Sequence, residues 1–209
     1  MAQNKHLSIL AFILVTCVCG LTSCSTVIAG FYGIKKNRTV DEETIYHYSK
    51  EYNIPFTESY ELDTAYLTFL TSLDATISKA QIKNHQQPLQ ALYYGRNGQL
   101  HSFQVNCYAG GFPNLKWDRN EIMTTFPPKQ QAPIDSIVTL ETQLKYLKPL
   151  SRTEIFSTSD YDYIVIVYWS RFMGRQNKRL IQFVQDNSKL ATGKKVRILY
   201  ANTDNIFAL

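Results

Sequence analysis

The chain of 209 residues is 44% hydrophobic and 13% aromatic, so it can bury a sizeable core and is not a disordered polymer. Its formal net charge of +5 is mild, and its basic residues are too sparse for a nucleic-acid interface. Its four histidines lack metal-ligand spacing, and it contains no Gly-rich phosphate loop, nucleophile elbow or HExxH motif. These features predict no metal, no cofactor and no nucleic-acid partner.

The N-terminus has the pattern of an export signal, because a short basic start precedes an apolar run from Leu7 to Cys19. The next residues, Leu21-Thr-Ser-Cys24, resemble the lipobox of bacterial lipoproteins. The resemblance implies removal of residues 1–23 and diacylation of Cys24, whose acyl chains would hold the protein on a membrane. Ser25 follows the cysteine in place of an acidic residue, which by resemblance to the sorting rules of such lipoproteins implies the outer membrane and a domain that faces the periplasm.

An uncleaved N-terminus is the alternative. The apolar character continues from Thr26 to Ile34, so the whole segment is long enough to span a bilayer. The protein would then be a single-span scaffold subunit.

The cysteines predict no disulfide chemistry. Cys17 and Cys19 lie in the predicted signal and Cys24 is the predicted lipidation site, which leaves Cys107 without an internal partner. A lone thiol in an oxidising compartment is predicted to be a buried, small apolar residue. The alternative is a thiol-dependent enzyme, which requires Cys107 to lie exposed near Met173 or Pro88.

Residues 24–55 are predicted to form a lipid-anchored tether and a short extended segment. Within it, Lys35, Lys36 and Arg38 are predicted to lie against phospholipid headgroups. Residues 56–209 are predicted to form a single globular domain.

The first half of this domain predicts a helix and a hairpin. Apolar residues recur at three- and four-residue steps between Asp63, a candidate N-cap, and Lys83. Pro88 then precedes two strand-like runs joined by Asn97-Gly98, which predict a β-hairpin at about 89–106.

An irregular excursion is predicted at about 108–134, because this stretch is too rich in proline and glycine for regular structure and too aromatic for a linker. Its Trp117 either packs in the core or anchors a partner. A helix is predicted from Asp135 or Ser136 through Leu147, with Pro149 as its stop.

The stretch from Tyr161 to Asp204 predicts a βαβ unit. The apolar run Tyr163–Trp169 is typical of a strand buried on both faces. A helical apolar stripe follows, and the β-branched run Val196–Ala201 predicts a parallel neighbour of the first strand.

The turn inside this unit reads Trp169-Ser-Arg-Phe-Met-Gly-Arg-Gln176 and resembles the active-site turn of the thioredoxin superfamily, Trp-Ala-x-Trp-Cys-Gly-Pro-Cys. Met173, before Gly174, stands where that family has its nucleophilic cysteine, and Gln176 stands where it has the resolving cysteine. Neither a thioether nor an amide can attack a disulfide. The resemblance therefore implies a thioredoxin-like domain that is redox-inactive and not an enzyme.

The order of the elements departs from that family, in which a helix, a cis-proline and a hairpin follow the active-site unit. Here the helix, Pro88 and the hairpin precede it. The resemblance therefore implies a circularly permuted thioredoxin-like sheet, with Pro88 as the candidate cis-proline. The alternative is an α+β domain with an independent hairpin. Both describe an α/β or α+β fold whose mixed sheet is flanked by helices.

Basic residues surround the degenerate turn, namely Arg171, Arg175, Lys178 and Arg179. They predict either a docking surface for an acidic partner or a solvated helix face. The combined expectation is an envelope lipoprotein that serves in protein binding or assembly on the periplasmic face of the membrane, with a partner that the sequence does not identify.

Overall fold

The computed structural model describes residues 30, 32–73, 78–151 and 156–208. The predicted signal peptide and Cys24 lie outside the described residues. No helix within these ranges is long and apolar enough to cross a membrane.

A six-stranded mixed sheet organises the domain, with strand order β3-β2-β5-β6-β1-β4. The central strands β5, β6 and β1 run parallel, whereas β2, β3 and β4 each pair antiparallel with a neighbour. The strands are β1 (Ser59–Leu62), β2 (Gln90–Gly95), β3 (Leu100–Val105), β4 (Leu147–Pro149), β5 (Tyr163–Trp169) and β6 (Val196–Asn202). The predicted mixed α/β class is confirmed, and the arrangement is consistent with a thioredoxin-like fold.

Helices cover both faces of the sheet. They are α1 (Glu42–Glu51), α2 (Ala65–Ser72), α3 (Lys79–His85), α4 (Asn106–Ala109), α5 (Leu140–Lys145), α6 (Arg175–Ser188) and α7 (Asp204–Phe207), with short 3-10 helices at Phe56–Glu58, Arg119–Thr124, Thr158–Asp160 and Arg171–Met173. One apolar core joins the sheet to α2, α3, α5 and α7, and a second core on the opposite face joins it to α1 and α6.

The C-terminal βαβ unit is confirmed, since β5 and β6 are parallel neighbours connected through α6. Strand β5 is buried on both faces because its side chains alternate between the two cores. Ile166 and Tyr168 pack in the first core, whereas Val167 and Trp169 pack in the second.

The predicted hairpin is also confirmed, as β2 pairs antiparallel with β3. Strand β2 lies beside β5 in antiparallel register, with Leu92 opposite Ile166. A permuted thioredoxin-like sheet requires this adjacency, although the rearranged order itself stays a prediction.

Three helix predictions need correction. The predicted tether contains α1, which Asp41 caps by accepting a hydrogen bond from the Thr44 N–H at 2.8 Å. The single helix expected between Asp63 and Lys83 is two helices, because Ser78, directly before α3, has a non-helical backbone with a ψ of 125°. Helix α5 begins at Leu140 instead of near Asp135, since Thr139 caps it through the Thr142 N–H.

Candidate functional site

The degenerate turn lies at the carboxyl end of β5, where α6 begins. Trp169, Met173, Gly174 and Gln176 all lie there. All four are buried, with Met173 5% exposed and Gln176 0% exposed. The turn is therefore part of the protein interior and not an open redox site.

Asp204 holds the start of the turn through its buried carboxylate. Its Oδ1 accepts a hydrogen bond from Ser170 Oγ at 2.8 Å. Its Oδ2 accepts from the Arg171 backbone N–H at 2.9 Å and from Asn202 Nδ2 at 2.8 Å. Because Asp204 follows β6, these bonds tie the ends of the two parallel strands together.

Asn177, in the first turn of α6, binds the other side of the turn. Its Oδ1 accepts a hydrogen bond from the Ser170 N–H at 2.8 Å, and its Nδ2 donates to the carbonyls of Ser170 and Gly174, the latter at 3.1 Å. The Asn177 side chain thus forms hydrogen bonds with backbone groups that would otherwise be buried without a partner.

Gln176 connects the irregular excursion, residues 108–134, to the turn through a hydrogen bond. Its Oε1 accepts a hydrogen bond from the Leu115 N–H at 3.1 Å and lies 3.5 Å from Arg179 Nη1. The amide of Gln176 therefore has a structural role that a thiol, a weak acceptor, would not reproduce.

A segment near the N-terminus covers the turn from the opposite side. The Arg175 N–H donates to the Tyr32 carbonyl at 3.0 Å, and the Lys35 N–H donates to the Phe172 carbonyl at 2.9 Å. Gly174 has a φ of +55°, and a Cβ at this position would overlap the Gly33 backbone. We call residues 32–36 the covering segment.

Two of the predicted partner-binding residues are buried. Arg171 is 4% exposed, because its backbone N–H binds Asp204 and its Nη2 donates to the Lys36 carbonyl at 3.0 Å. Trp117 is 1% exposed and packs in the second core, so the prediction of a surface anchor is wrong there.

The other three predicted residues lie along one side of α6 at i, i+3 and i+4 spacing. Arg175 and Lys178 are exposed, and Arg179 is half-buried, with its Nη1 donating to Asn114 Oδ1. These three side chains place cationic groups on the N-terminal part of the helix.

Cys107 is exposed, which corrects the prediction of a buried thiol. It lies in the short helix α4 after β3, whose edge position leaves the side chain uncovered. Its Sγ lies 3.8 Å from Asn84 Oδ1, and partial desolvation raises the pKa of the thiol. A raised pKa lowers the fraction of reactive thiolate.

Pro88 is not the cis-proline that was predicted, because the cis peptide bonds in the described part of the chain precede Pro113 and Pro127. Pro88 lies in a bend between α3 and β2, and its peptide bond keeps the trans form that X-Pro bonds prefer. The neighbouring Gln87 accepts a hydrogen bond from Asn106 Nδ2 at 3.0 Å, which places Cys107 near this proline.

A buried ion-pair candidate was not predicted from the sequence. His85 Nε2 lies 3.0 Å from Asp135 Oδ1, and both side chains are almost wholly buried. His85 stacks on Phe103, and Asp135 lines a cavity of about 700 Å³ between the hairpin turn and α5. Fifty residues separate the two partners, so no local motif indicates the pair.

Among the described residues, no group of three or more histidine, cysteine, aspartate or glutamate side chains could hold a metal ion. Comparison with known proteins found no matching family model, no matching curated protein and no matching solved structure.

Proposed function

We propose that the protein is an envelope lipoprotein, anchored through Cys24, whose thioredoxin-like domain is redox-inactive and serves in protein binding or assembly on the periplasmic face of the membrane. The observation that carries this proposal is the state of the degenerate turn. Met173 and Gln176 occupy the two cysteine positions and are buried beneath the covering segment and Leu115.

Redox inactivity follows from chemistry and access together. Thiol-disulfide exchange needs an accessible thiolate at the start of the helix. Here that position holds a thioether, and the backbone of Gly33 blocks the approach to Gly174. A substrate disulfide finds neither a nucleophile nor an opening at this turn.

A role in binding is supported by the surface that the domain leaves uncovered. Phe112 is 64% exposed, and Tyr46 and Phe56 are exposed and pack edge-to-face at 5.0 Å. Exposed aromatic side chains of this kind are typical anchors of protein interfaces.

Metabolic labelling with a fatty-acid analogue tests the anchor. We expect wild type and Cys107→Ala to carry the label and Cys24→Ala to lose it. Cys107→Ala is the matched control because it removes the only cysteine within the described ranges. Label that persists in Cys24→Ala would contradict lipidation at this residue.

Capture from solubilised membranes tests the binding role. We expect wild type to retain at least one envelope protein in stoichiometric amount, compared with a tag-only control. A wild-type sample that captures nothing above this control would contradict the binding role.

A thiol-dependent enzyme is the second candidate, and the exposure of Cys107 near Pro88 favours it. The raised pKa of the thiol opposes it. An insulin-reduction assay separates the two candidates: no turnover by wild type is expected for a binding protein, whereas turnover that Cys107→Ser abolishes would support the enzyme.

A further inference from the structure

A cavity between the hairpin turn and α5 has the size and the lining of a small-molecule site. Its volume of about 700 Å³ lies within the range of about 300–1,000 Å³ that such sites have in proteins. The wall combines apolar side chains with two carboxylates: Leu100, Ile134, Val138, Leu140, Asp135 and Glu141. We call this space the hairpin cavity. Its lining fits a ligand that has an apolar body and a polar group.

Asp135 is the buried polar group of this wall, with a side chain that is 1% exposed. Its Oδ1 lies 3.0 Å from His85 Nε2 and accepts a hydrogen bond from the Ile137 N–H at 3.2 Å. Its Oδ2 is buried and has no hydrogen-bond partner among the described residues. A buried carboxylate oxygen without a donor costs free energy, so a ligand that supplies the donor gains affinity.

The charge of Asp135 also reaches a second residue of the wall. Tyr94 lines the hairpin cavity, and its hydroxyl donates a hydrogen bond to the Val138 carbonyl at 3.1 Å. Burial is the main cause that raises the pKa of Tyr94, and the negative charge of Asp135 contributes in the same direction. The Asp135 carboxylate therefore acts on the groups that surround the cavity.

Glu141 is the exposed carboxylate of the wall. No lysine, arginine or histidine belongs to the wall that the described residues form. Two basic residues are close in the sequence. Arg96 pairs with Asp162 at 3.0 Å, and Lys145 holds its Nζ 5.8 Å from the centre of the Tyr146 ring. Neither cation is therefore an ion-pair partner of Glu141.

His85 compensates the charge of Asp135 in one of its protonation states. A neutral imidazole donates its Nε2–H to the carboxylate, which keeps its negative charge. A protonated imidazole makes the pair neutral, and the charge at the cavity then comes from Glu141. The wall has a net negative charge in both states, so it attracts a cation and repels an anion.

We propose that the hairpin cavity binds a primary ammonium group that is carried on an apolar body. An ammonium group has three N–H donors, which can supply Asp135 Oδ2 and still leave donors for Glu141. Hydrogen bonds between charged partners are the stronger kind. The apolar body packs against Leu100, Ile134 and Val138. This site does not depend on the proposed lipid anchor.

The ammonium group can belong to a free amine or to a lysine side chain of a bound protein. Both present the same charge on an aliphatic chain. Two probes distinguish the sources: n-butylamine, and a lysine whose termini are blocked by acetyl and N-methylamide groups. Tighter binding of the blocked lysine indicates a protein source, and tighter binding of n-butylamine indicates a free amine. Either order supports the site.

Titration of the ¹⁵N-labelled full chain, purified from membranes in detergent micelles, tests the proposal. We expect n-butylamine at millimolar concentrations to cause saturable shifts of the amide signals of residues 97–100 and 134–141. Because a charged donor forms stronger hydrogen bonds with carboxylates, n-butanol should bind about fivefold to tenfold more weakly. Butyrate should cause no saturable shift at these residues.

Charge variants supply the second measurement. Glu141→Gln should weaken n-butylamine binding about twofold to fivefold, as expected for an exposed ion pair, and leave n-butanol binding unchanged. Asp135→Asn should weaken it about tenfold. The matched control is Glu43→Gln, because Glu43 is likewise an exposed glutamate in the first turn of a helix, but α1 packs on the opposite face of the sheet. This control should leave n-butylamine binding unchanged.

Several outcomes overturn the proposal. They are the absence of saturable shifts with both amine probes, shifts confined to residues away from the cavity, and equal affinity for n-butylamine and n-butanol. An equal loss of affinity in Glu141→Gln and Glu43→Gln also overturns it. If Asp135→Asn does not fold, the alcohol comparison and Glu141→Gln decide the question without it. None of these results bears on lipidation at Cys24, which the fatty-acid label tests.

Discussion

Replacement of Asp204 tests whether hydrogen-bond geometry or negative charge holds the degenerate turn. The carboxylate is wholly buried and accepts from Ser170 Oγ, the Arg171 N–H and Asn202 Nδ2. Asp204→Ala leaves these donors buried without their acceptor, at about 1–3 kcal/mol each for those that cannot reorient. The hydroxyl of Ser170 can rotate, so we expect the free energy of unfolding to fall by about 3–5 kcal/mol.

Asp204→Asn should lower the free energy of unfolding far less than Asp204→Ala does. The asparagine oxygen can replace Oδ2 and accept from both the Arg171 N–H and Asn202 Nδ2, while its amide donates to Ser170 Oγ. All three hydrogen bonds survive as neutral bonds, which are about half as strong as those to a carboxylate. We therefore expect a loss of about 1 kcal/mol, set by the weaker bonds.

Urea denaturation of the variants measures both values, provided that the dependence of the unfolding free energy on urea is unchanged among them. Ser170→Ala supplies the control, because it removes the acceptor that Asp204→Asn needs. The double variant Ser170→Ala/Asp204→Asn should lose more than the sum of the single variants, by about 1–2 kcal/mol. If Asp204→Asn destabilises as much as Asp204→Ala, the negative charge itself holds the turn and the hydrogen-bond reasoning is wrong.

Three further changes test the close approach at Gly174 and the burial of Trp117 and Cys107. Gly174→Ala should lower the free energy of unfolding by about 1–3 kcal/mol and speed hydrogen exchange in residues 32–36, because a Cβ overlaps the backbone of Gly33; unchanged exchange there would contradict the close approach. Trp117→Ala should lower it by about 3–5 kcal/mol in urea denaturation, since the ring is buried, and a loss under 1 kcal/mol would indicate an exposed ring. Because the pKa of Cys107 is raised, iodoacetamide should alkylate it more slowly than free cysteine at pH 7, with a rate that keeps rising above the pH at which free cysteine levels off. Alkylation as fast as that of free cysteine would show that the thiol is not desolvated.

The central elements were predictable because their signals are local and strong. The run Tyr163–Trp169 is uniformly apolar, and a strand of this kind must be covered on both faces. The Asn97-Gly98 pair likewise marks a turn that only a hairpin uses efficiently. These two signals give three of the six strands of the sheet.

Helix α1 was missed although its local signals were present. Asp41 is a good N-cap and two glutamates follow it, but only Ile45 and Ser49 of the helix are buried, so the apolar stripe is weak. The helix is held by its cap and by packing against the second core. Periodicity alone does not detect a helix of this kind.

The position of the turn between a strand and a helix was predictable, whereas the burial of its side chains was not. Gln176 is covered by Leu115, 61 positions away. Arg171 is covered by Lys36, 135 positions away. No sequence pattern indicates such distant contacts, so Arg171 was expected at the surface and Trp117 could not be assigned to the core or the surface.

The turn from Trp169 to Gln176 is a point of assembly for the fold. Gln176 binds Leu115, Asn177 binds Ser170, and Gly174 admits the backbone of Gly33. A cysteine at position 176 would release Leu115, because a thiol accepts hydrogen bonds weakly, and a cysteine at position 173 would still lie beneath the covering segment. The contacts that close the turn would therefore have to break before cysteines at these two positions could react with a disulfide.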